Sequence, residues 1–302
     1  MRIVSVGECM VELSGAGQGL WRQAFAGDTF NTAWYLRALM PADAQVDYLT
    51  CVGQDAISQA MVDFITGAGI GTGCISRHPT RAPGLYMIDL KDGERSFTYW
   101  RDSSAARCLA DDPDHLARCL LGADLVYFSG ITLAILTPDR RRDLLAALAA
   151  SGARVAFDSN MRLRLWSDAD EMRDWIMKAA AVAHIALPSF DEESQYFGDA
   201  DPARTAARYR DAGVAEVLIK NGGGDMLGID AEGRSHPLPC PERITPVDTT
   251  GAGDSFNGGY LSARLAGQDM EQAVARGHAT AAEVIRRPGA LIDPDLLRTG
   301  AA

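Results

Sequence analysis

The sequence predicts an α/β fold: a mostly parallel central sheet with helices on both faces, and a small β-sheet standing off it. Three observations carry the prediction. Short strand-like runs alternate with longer helical runs along most of the chain, the pattern of successive βαβ units. Polar and glycine-bearing segments follow directly after several strand-like runs, at the carboxyl ends where such sheets bind ligands. Two stretches break the alternation, and one of them has the period of two that marks a hairpin.

In chain order, Ile3–Val6, Val46–Val52, Leu125–Ser129, Arg154–Asp158, His184–Leu187 and Glu216–Lys220 read as strands. Thr32–Met40, Ile57–Gly67, Pro138–Ala150, Ala169–Ala181, Pro202–Ala212, Ala252–Ala266 and Met270–Arg286 read as helices. The first break is Glu12 to Asp28, rich in glycine and without helical pattern. The second, Gly84 to Arg101, reads as a hairpin with Lys91-Asp92-Gly93-Glu94 as its turn. Tyr86, Ile88 and Leu90 share one face of it, as do Phe97, Tyr99 and Arg101. Together the two stretches make a small sheet from about 9–30 and 82–105, which can serve as a lid or simply pack as an edge extension. No repeat, low-complexity tract or linker divides the chain, so residues 1–302 form a single domain.

A chain of 302 residues can bury a sizeable core, and 47% hydrophobic with 23% charged residues is an ordinary globular balance. The net charge of −11 argues against nucleic acid as a partner. An anionic small molecule would have to find local cations. The six cysteines include no Cys-x-x-Cys pair and read as reduced thiols of a cytoplasmic protein. No apolar run approaches ~18 residues, so no membrane span is expected.

The chemistry concentrates in Val247 to Tyr260, where Asp248-Thr249-Thr250-Gly251-Ala252-Gly253-Asp254 runs into an apolar helix. Gly251 and Gly253 let an anion lie against the backbone, and the helix start aims free N–H groups at it. Asp254 in that position is either a helix cap or a base that takes a proton from a hydroxyl attacking a phosphoryl group. No Gly-x-x-x-x-Gly-Lys-Ser/Thr loop occurs, and Gly7-Glu8-Cys9-Met10 is not a dinucleotide fingerprint.

The Val247–Tyr260 run resembles the signature of the PfkB/ribokinase family of carbohydrate kinases, and the resemblance extends from Gly7-Glu8 to Gly289-Ala290. It implies a ribokinase-like fold with a β-sheet lid. It implies an anion hole of Gly251, Ala252 and Gly253, with Asp254 as general base. ATP is implied beside Asn160, Lys220, Gly222, Gly223, Gly224, Gly251, Gly253 and Gly289. Magnesium is implied near Glu192, reached through water, and some members also hold a monovalent cation. Ala26 and Ser189 depart from the family pattern, where a Gly and an Asn are usual.

Within the family, Ala26–Asn31, Pro83–Ile88, Phe97–Arg101, Tyr127–Ile131 and Phe157–Arg162 resemble the kinases of 2-keto-3-deoxygluconate. The expected reaction is transfer from MgATP to the 6-hydroxyl, giving 2-keto-3-deoxy-6-phosphogluconate. By resemblance Gly27, Asp28, Asn31, Tyr86, Tyr99, Arg101, Arg162 and Asp254 hold the sugar acid. Arg162 and Arg164 leave a strand end with guanidinium groups suited to a carboxylate or phosphate, or simply solvated. The alternatives are a kinase of a neutral sugar, of fructokinase or ribokinase type, and an inactive sensor on the same fold. The presence of Asp254 speaks against the sensor. Leu85 and Met87 on the other hairpin face point to a homo-oligomer, at least a dimer.

Overall fold

The structure, a computed structural model, describes residues 1–91, 94–241 and 244–298. Its strands are β1 (Arg2–Val6), β2 (Met10–Gly17), β3 (Leu20–Ala26), β4 (Gln45–Val52), β5 (Ile75–Arg77), β6 (Leu85–Lys91), β7 (Glu94–Trp100), β8 (Leu125–Ser129), β9 (Arg154–Asp158), β10 (Ile185–Ala186), β11 (Glu216–Ile219), β12 (Met226–Ile229) and β13 (Ser235–Leu238). Its helices are α1 (Asp28–Leu39), α2 (Ala56–Gly67), α3 (Pro113–Leu120), α4 (Gly130–Ala134), α5 (Pro138–Ala150), α6 (Ala169–Ala180), α7 (Phe190–Phe197), α8 (Pro202–Asp211), α9 (Ala252–Leu265), α10 (Met270–Ile285) and α11 (Asp295–Arg298).

Alternation along the strands decides which helices cover which face. Val4, Val6, Val126, Phe128, Val155 and Phe157 point one way, against Leu116 of α3, Leu144 and Leu148 of α5 and Ile176 of α6. Ile3, Leu125, Tyr127, Ala156 and Leu218 point the other way, against Phe30 and Leu36 of α1 and Phe256, Tyr260 and Leu261 of α9. Both faces are buried, as the apolar strands of a parallel sheet require. The Phe128 and Phe157 rings lie 4.8 Å apart and are fully buried. At about 1.5–3 kcal/mol each, they pin β8 to β9 directly beneath the residues that end those strands, Ser129 and Asp158.

The main sheet runs β13-β12-β11-β10-β9-β8-β1-β4-β5. It is parallel from β11 to β5 and antiparallel only at the β11–β12 and β12–β13 pairs. Because β1 lies between β4 and β8, the chain crosses from one side of β1 to the other. Such a switch in strand order opens a crevice at the carboxyl ends, here after β1 and β8.

The second sheet runs β3-β2-β6-β7. β2 and β3 pair antiparallel, β2 and β6 parallel (Val11↔Leu85, Leu13↔Met87), and β6 and β7 antiparallel out to Lys91↔Glu94. Its strands fall within 9–30 and 82–105, and the expected turn residues Asp92 and Gly93 lie outside the described residues. Met10, Tyr86 and Ile88 are buried on its inner face, beside Ala26, Ala290 and Tyr99. On the outer face Leu85 and Met87 are half-buried, and Trp100 is 54% exposed.

The helix expected from Thr32 starts four residues earlier, at Asp28, because Gly27 begins it. α3, α7 and β13 lie in stretches to which the sequence pattern assigns no element. Each is too short to show its period, although Asp112-Pro113 and the left-handed Gly198 are ordinary start and stop signals for α3 and α7. Asp side chains cap the starts of α2, α3, α6, α8 and α10. α1 and α9 begin instead at Gly27 and Gly251, with no side-chain cap.

Candidate active site

Those two uncapped helix starts meet in one cleft of about 960 Å³, beyond the carboxyl ends of β1, β8, β9 and β11 and beneath the four-stranded sheet. Ala252 N donates to the Thr249 carbonyl oxygen at 3.2 Å, while Gly253 and Asp254 of the same first turn line the cleft, where a helix start can meet an anion. Gly27 is demanded by space, since a Cβ there would lie 2.0 Å from the Glu8 carbonyl. Gly251 is demanded by conformation, with φ +74° and the Ala290 carbonyl oxygen 2.9 Å from where a Cβ would sit.

Asp254 stands in the first turn of α9. It does not cap that helix; its Oδ2 accepts from Asn31 Nδ2 at 2.8 Å. Burial, with the nearby charges of Asp28 and then Asp158, pushes its pKa up to about 8, against the pull of Asn31 and Lys220. A carboxylate with a pKa near 8 is tuned to accept a proton near neutral pH.

Below Asp254 lies a buried polar network. Asp158 Oδ2 accepts from Asn257 Nδ2 at 2.7 Å and from Lys220 Nζ at 3.1 Å. Asn257 also donates to the Tyr127 hydroxyl and accepts from Lys220. A Cβ placed on Gly253 would lie 3.9 Å from Lys220 Nζ, so the ammonium faces the Gly251–Asp254 backbone. Asp28 Oδ2 accepts from Ser129 Oγ at 2.5 Å and Asn160 Nδ2 at 2.8 Å. Burial and the Asp158 charge raise the pKa of Asp28 against these bonds. Asn160 sits at φ +28°, outside the usual regions for a non-glycine residue. Asp248 ties the loop together, accepting from Thr250 N at 3.0 Å and Gly289 N at 2.5 Å.

The four-stranded sheet supplies the roof. Tyr86 and Tyr99 stack at 5.7 Å, and the Arg164 guanidinium lies 3.9 Å over the Tyr99 ring. The Tyr86 hydroxyl donates to the Glu12 carboxylate. Arg101 is buried and ion-paired to Glu8 through Nη2. Arg101 Nε and Glu8 Oε1 are buried without a hydrogen-bond partner among the described residues. Arg162 pairs with Glu192 Oε1, and Met161 N donates to Glu192 Oε2 at 2.9 Å.

The cleft thus gathers Gly27, Asp28, Asn31, Tyr86, Tyr99, Arg101, Asn160, Arg162, Glu192, Lys220 and Gly251–Asp254. Gly222, Gly223, Gly224 and Gly289 do not line it; Gly222 and Gly223 follow Lys220 with φ +43° and +90°. Asp158 and Asp248 line it without having been given a binding role from the pattern, and Arg164, one of the two guanidinium groups expected to suit an anion, lines it too. The signal for Asp158 is position alone, since it ends a strand.

The profile of the pfkB family of carbohydrate kinases matches residues 1–296. The chain belongs to that family. A relative from Escherichia coli K12 named 2-dehydro-3-deoxygluconokinase is 40% identical over 300 residues, spanning 96% of this chain and 97% of its own. The crystal structure of a PfkB protein from Polaromonas sp. JS666 superposes with a TM-score of 0.86 at 25% identity, covering 99% of both chains. An E. coli protein of ribokinase type, solved with ATP and magnesium, superposes with a TM-score of 0.84 at 23% identity, covering 99% of this chain and 98% of its own. The fold is therefore ribokinase-like. As a pfkB kinase the protein uses ATP to phosphorylate a small carbohydrate. Among the described residues no helix is long and apolar enough to cross a membrane.

Five carboxylates line the cleft: Asp28, Asp158, Glu192, Asp248 and Asp254. Each already accepts a hydrogen bond or pairs with a neighbour. This donor set fits a hydrated magnesium carried on nucleotide phosphates, with Glu192 able to meet it through water.

Proposed function

We propose that this pfkB kinase transfers the terminal phosphoryl group of ATP to the 6-hydroxyl of 2-keto-3-deoxygluconate, the same sugar acid as 2-dehydro-3-deoxygluconate. The observation that carries the choice of substrate is the convergence of three arginines on one cleft. Arg101 comes from the end of β7, and Arg162 and Arg164 from the segment after β9. In a protein of net charge −11, such a cluster is what an anionic sugar needs. The E. coli relative's name supports the same reading.

In this reading Gly27, Asp28 and Asn31 bond the sugar hydroxyls under Tyr86 and Tyr99, and the arginines take the carboxylate. Asp254 accepts the proton of the attacking hydroxyl. The Gly251, Ala252 and Gly253 backbone, the start of α9 and Lys220 bear the charge that develops on the phosphoryl group. ATP extends past Asn160 along the Gly222–Gly224 turn toward Gly289. Magnesium on its phosphates supplies further charge neutralisation. Closing the four-stranded sheet as a lid on this single domain keeps water from the transfer.

One observation favours a neutral sugar instead. Glu8 and Glu192 already balance Arg101 and Arg162, which leaves Arg164 with no ion pair among the described residues. The test is to incubate the protein with MgATP and 2-keto-3-deoxygluconate and identify the product by phosphorus and carbon NMR. Phosphate on carbon 6 supports the proposal. An unmodified sugar acid, with fructose or ribose phosphorylated instead, overturns it.

A further inference from the structure

A second cavity, of about 370 Å³, opens at the amino ends of β1 and β4, the sheet edge opposite Asp254. Arg2, Cys74, His115 and Cys119 line it. We propose that Cys74 and Cys119 are an oxidisable pair, which a hydroperoxide entering this cavity converts to a disulfide by way of a sulfenic acid on Cys74. Nothing in the kinase reaction uses this site.

The geometry gives the two sulfurs different neighbours. Arg2 Nη2 lies 3.8 Å from Cys74 Sγ, and a guanidinium there favours the thiolate. His115 Nε2 lies 3.6 Å from Cys119 Sγ, one helical turn away on α3. Cys74 Sγ comes within 3.9 Å of the Cys119 carbonyl oxygen. The Cys74 thiol is lowered by a hydrogen bond from the Cys119 thiol, opposed by burial and Asp47 and helped by Arg2. The same bond, with burial, pushes the Cys119 thiol up. Cys74 is thus the nucleophile and Cys119 the thiol that keeps its proton. Both are buried, 6% and 5% exposed, so the cavity is the route in for a molecule as small as hydrogen peroxide.

In the first step the Cys74 thiolate attacks the peroxide, the O–O bond breaks, Cys74 becomes a sulfenic acid and hydroxide leaves to be protonated to water. In the second, Cys119 sulfur attacks the sulfenic sulfur. Its proton passes by way of His115 to the departing hydroxyl, which leaves as water. The peroxide takes up the two electrons that the two thiols lose. The disulfide would enclose β6, β7 and Arg101 in one covalent loop, which constrains the unfolded chain and raises Tm.

The test uses the whole protein, freed of reductant and treated with hydrogen peroxide. The expected result is a fall in free thiols from six to four, which is 6 − 2. A chymotryptic digest, cutting at Phe64 between Cys51 and Cys74, should yield a peptide joining Cys74 to Cys119. Tm should rise and return on adding dithiothreitol. The Cys119→Ser variant should instead accumulate a sulfenic acid on Cys74 that a cyclic 1,3-diketone traps. The proposal is overturned if Cys74 and Cys119 stay reduced under peroxide, or if either one joins a different cysteine.

Discussion

Asn31 Nδ2 donates to Asp254 Oδ2 at 2.8 Å, joining the first turn of α1 to the first turn of α9. Asp254 itself lines the cleft. The bond also fits the absence of a side-chain cap on α9: among the described residues the side-chain donor to Asp254 belongs to a different element. Asp28 is the neighbour whose charge does most to raise Asp254, so both ends of the proposed sugar site bear on the proposed base.

The base must be ionised to work, so kcat/KM should rise with pH through the pKa of Asp254, placed at about 8 in the free enzyme. Below it the loss should approach about tenfold per pH unit. Asp28→Asn removes the largest charge acting on Asp254 and should move the inflection to lower pH. A profile with no inflection in that range, or one that Asp28→Asn leaves in place, would contradict the assignment.

Asp254→Asn should fold and lose about 10²–10⁴ in turnover. Stability should change in the opposite sense. The folded pKa of Asp254 lies above its unfolded value, so its contribution is full at low pH and is lost as pH rises through about 8. The unliganded Asp254→Asn variant should therefore melt above the wild type at pH 9, with a smaller gap at pH 6. Equal melting at both pH values would mean that the carboxylate is not held against its charge.

Arg101→Ala, Arg162→Ala and Arg164→Ala should each lower kcat/KM on 2-keto-3-deoxygluconate by about ten- to a hundredfold, since a charged hydrogen bond is worth ~1.5–3 kcal/mol. Slow turnover of neutral ketoses should suffer far less. Steady-state kinetics on both substrates decides it. Equal losses on the two would assign the arginines to phosphate or to structure.

The outer face of the four-stranded sheet, with Leu85, Met87 and Trp100, is expected to meet a second copy of the chain. Light scattering should give a dimer or larger. Met87→Lys with Trp100→Lys should yield monomers. A wild-type monomer at working concentration would remove the interface without touching the chemistry.

The main sheet was legible because its strands are apolar runs flanked by long helices, some with a plain period, as in Ala169–Ala180. Gly251 to Asp254 was legible because its residue types leave few backbone arrangements. The pairs that set the charge of the site were not. Glu8 meets Arg101 from 93 residues away, and Ser129 meets Asp28 from 101 away. No local pattern records such encounters, which exist only once the small sheet and α1 lie against the strand ends of the main sheet. For the same reason the sequence leaves Arg164 open between an anion-binding and a solvated residue, and its place over the Tyr99 ring emerges only in the fold.

The most direct test of the substrate is kcat/KM measured by ADP release on 2-keto-3-deoxygluconate, fructose, ribose and a nucleoside under one set of conditions. The account predicts that the sugar acid leads by at least about a hundredfold, the worth of one or two charged hydrogen bonds. A neutral sugar matching or exceeding it would contradict the account and make the arginine cluster a structural feature of a different sugar kinase.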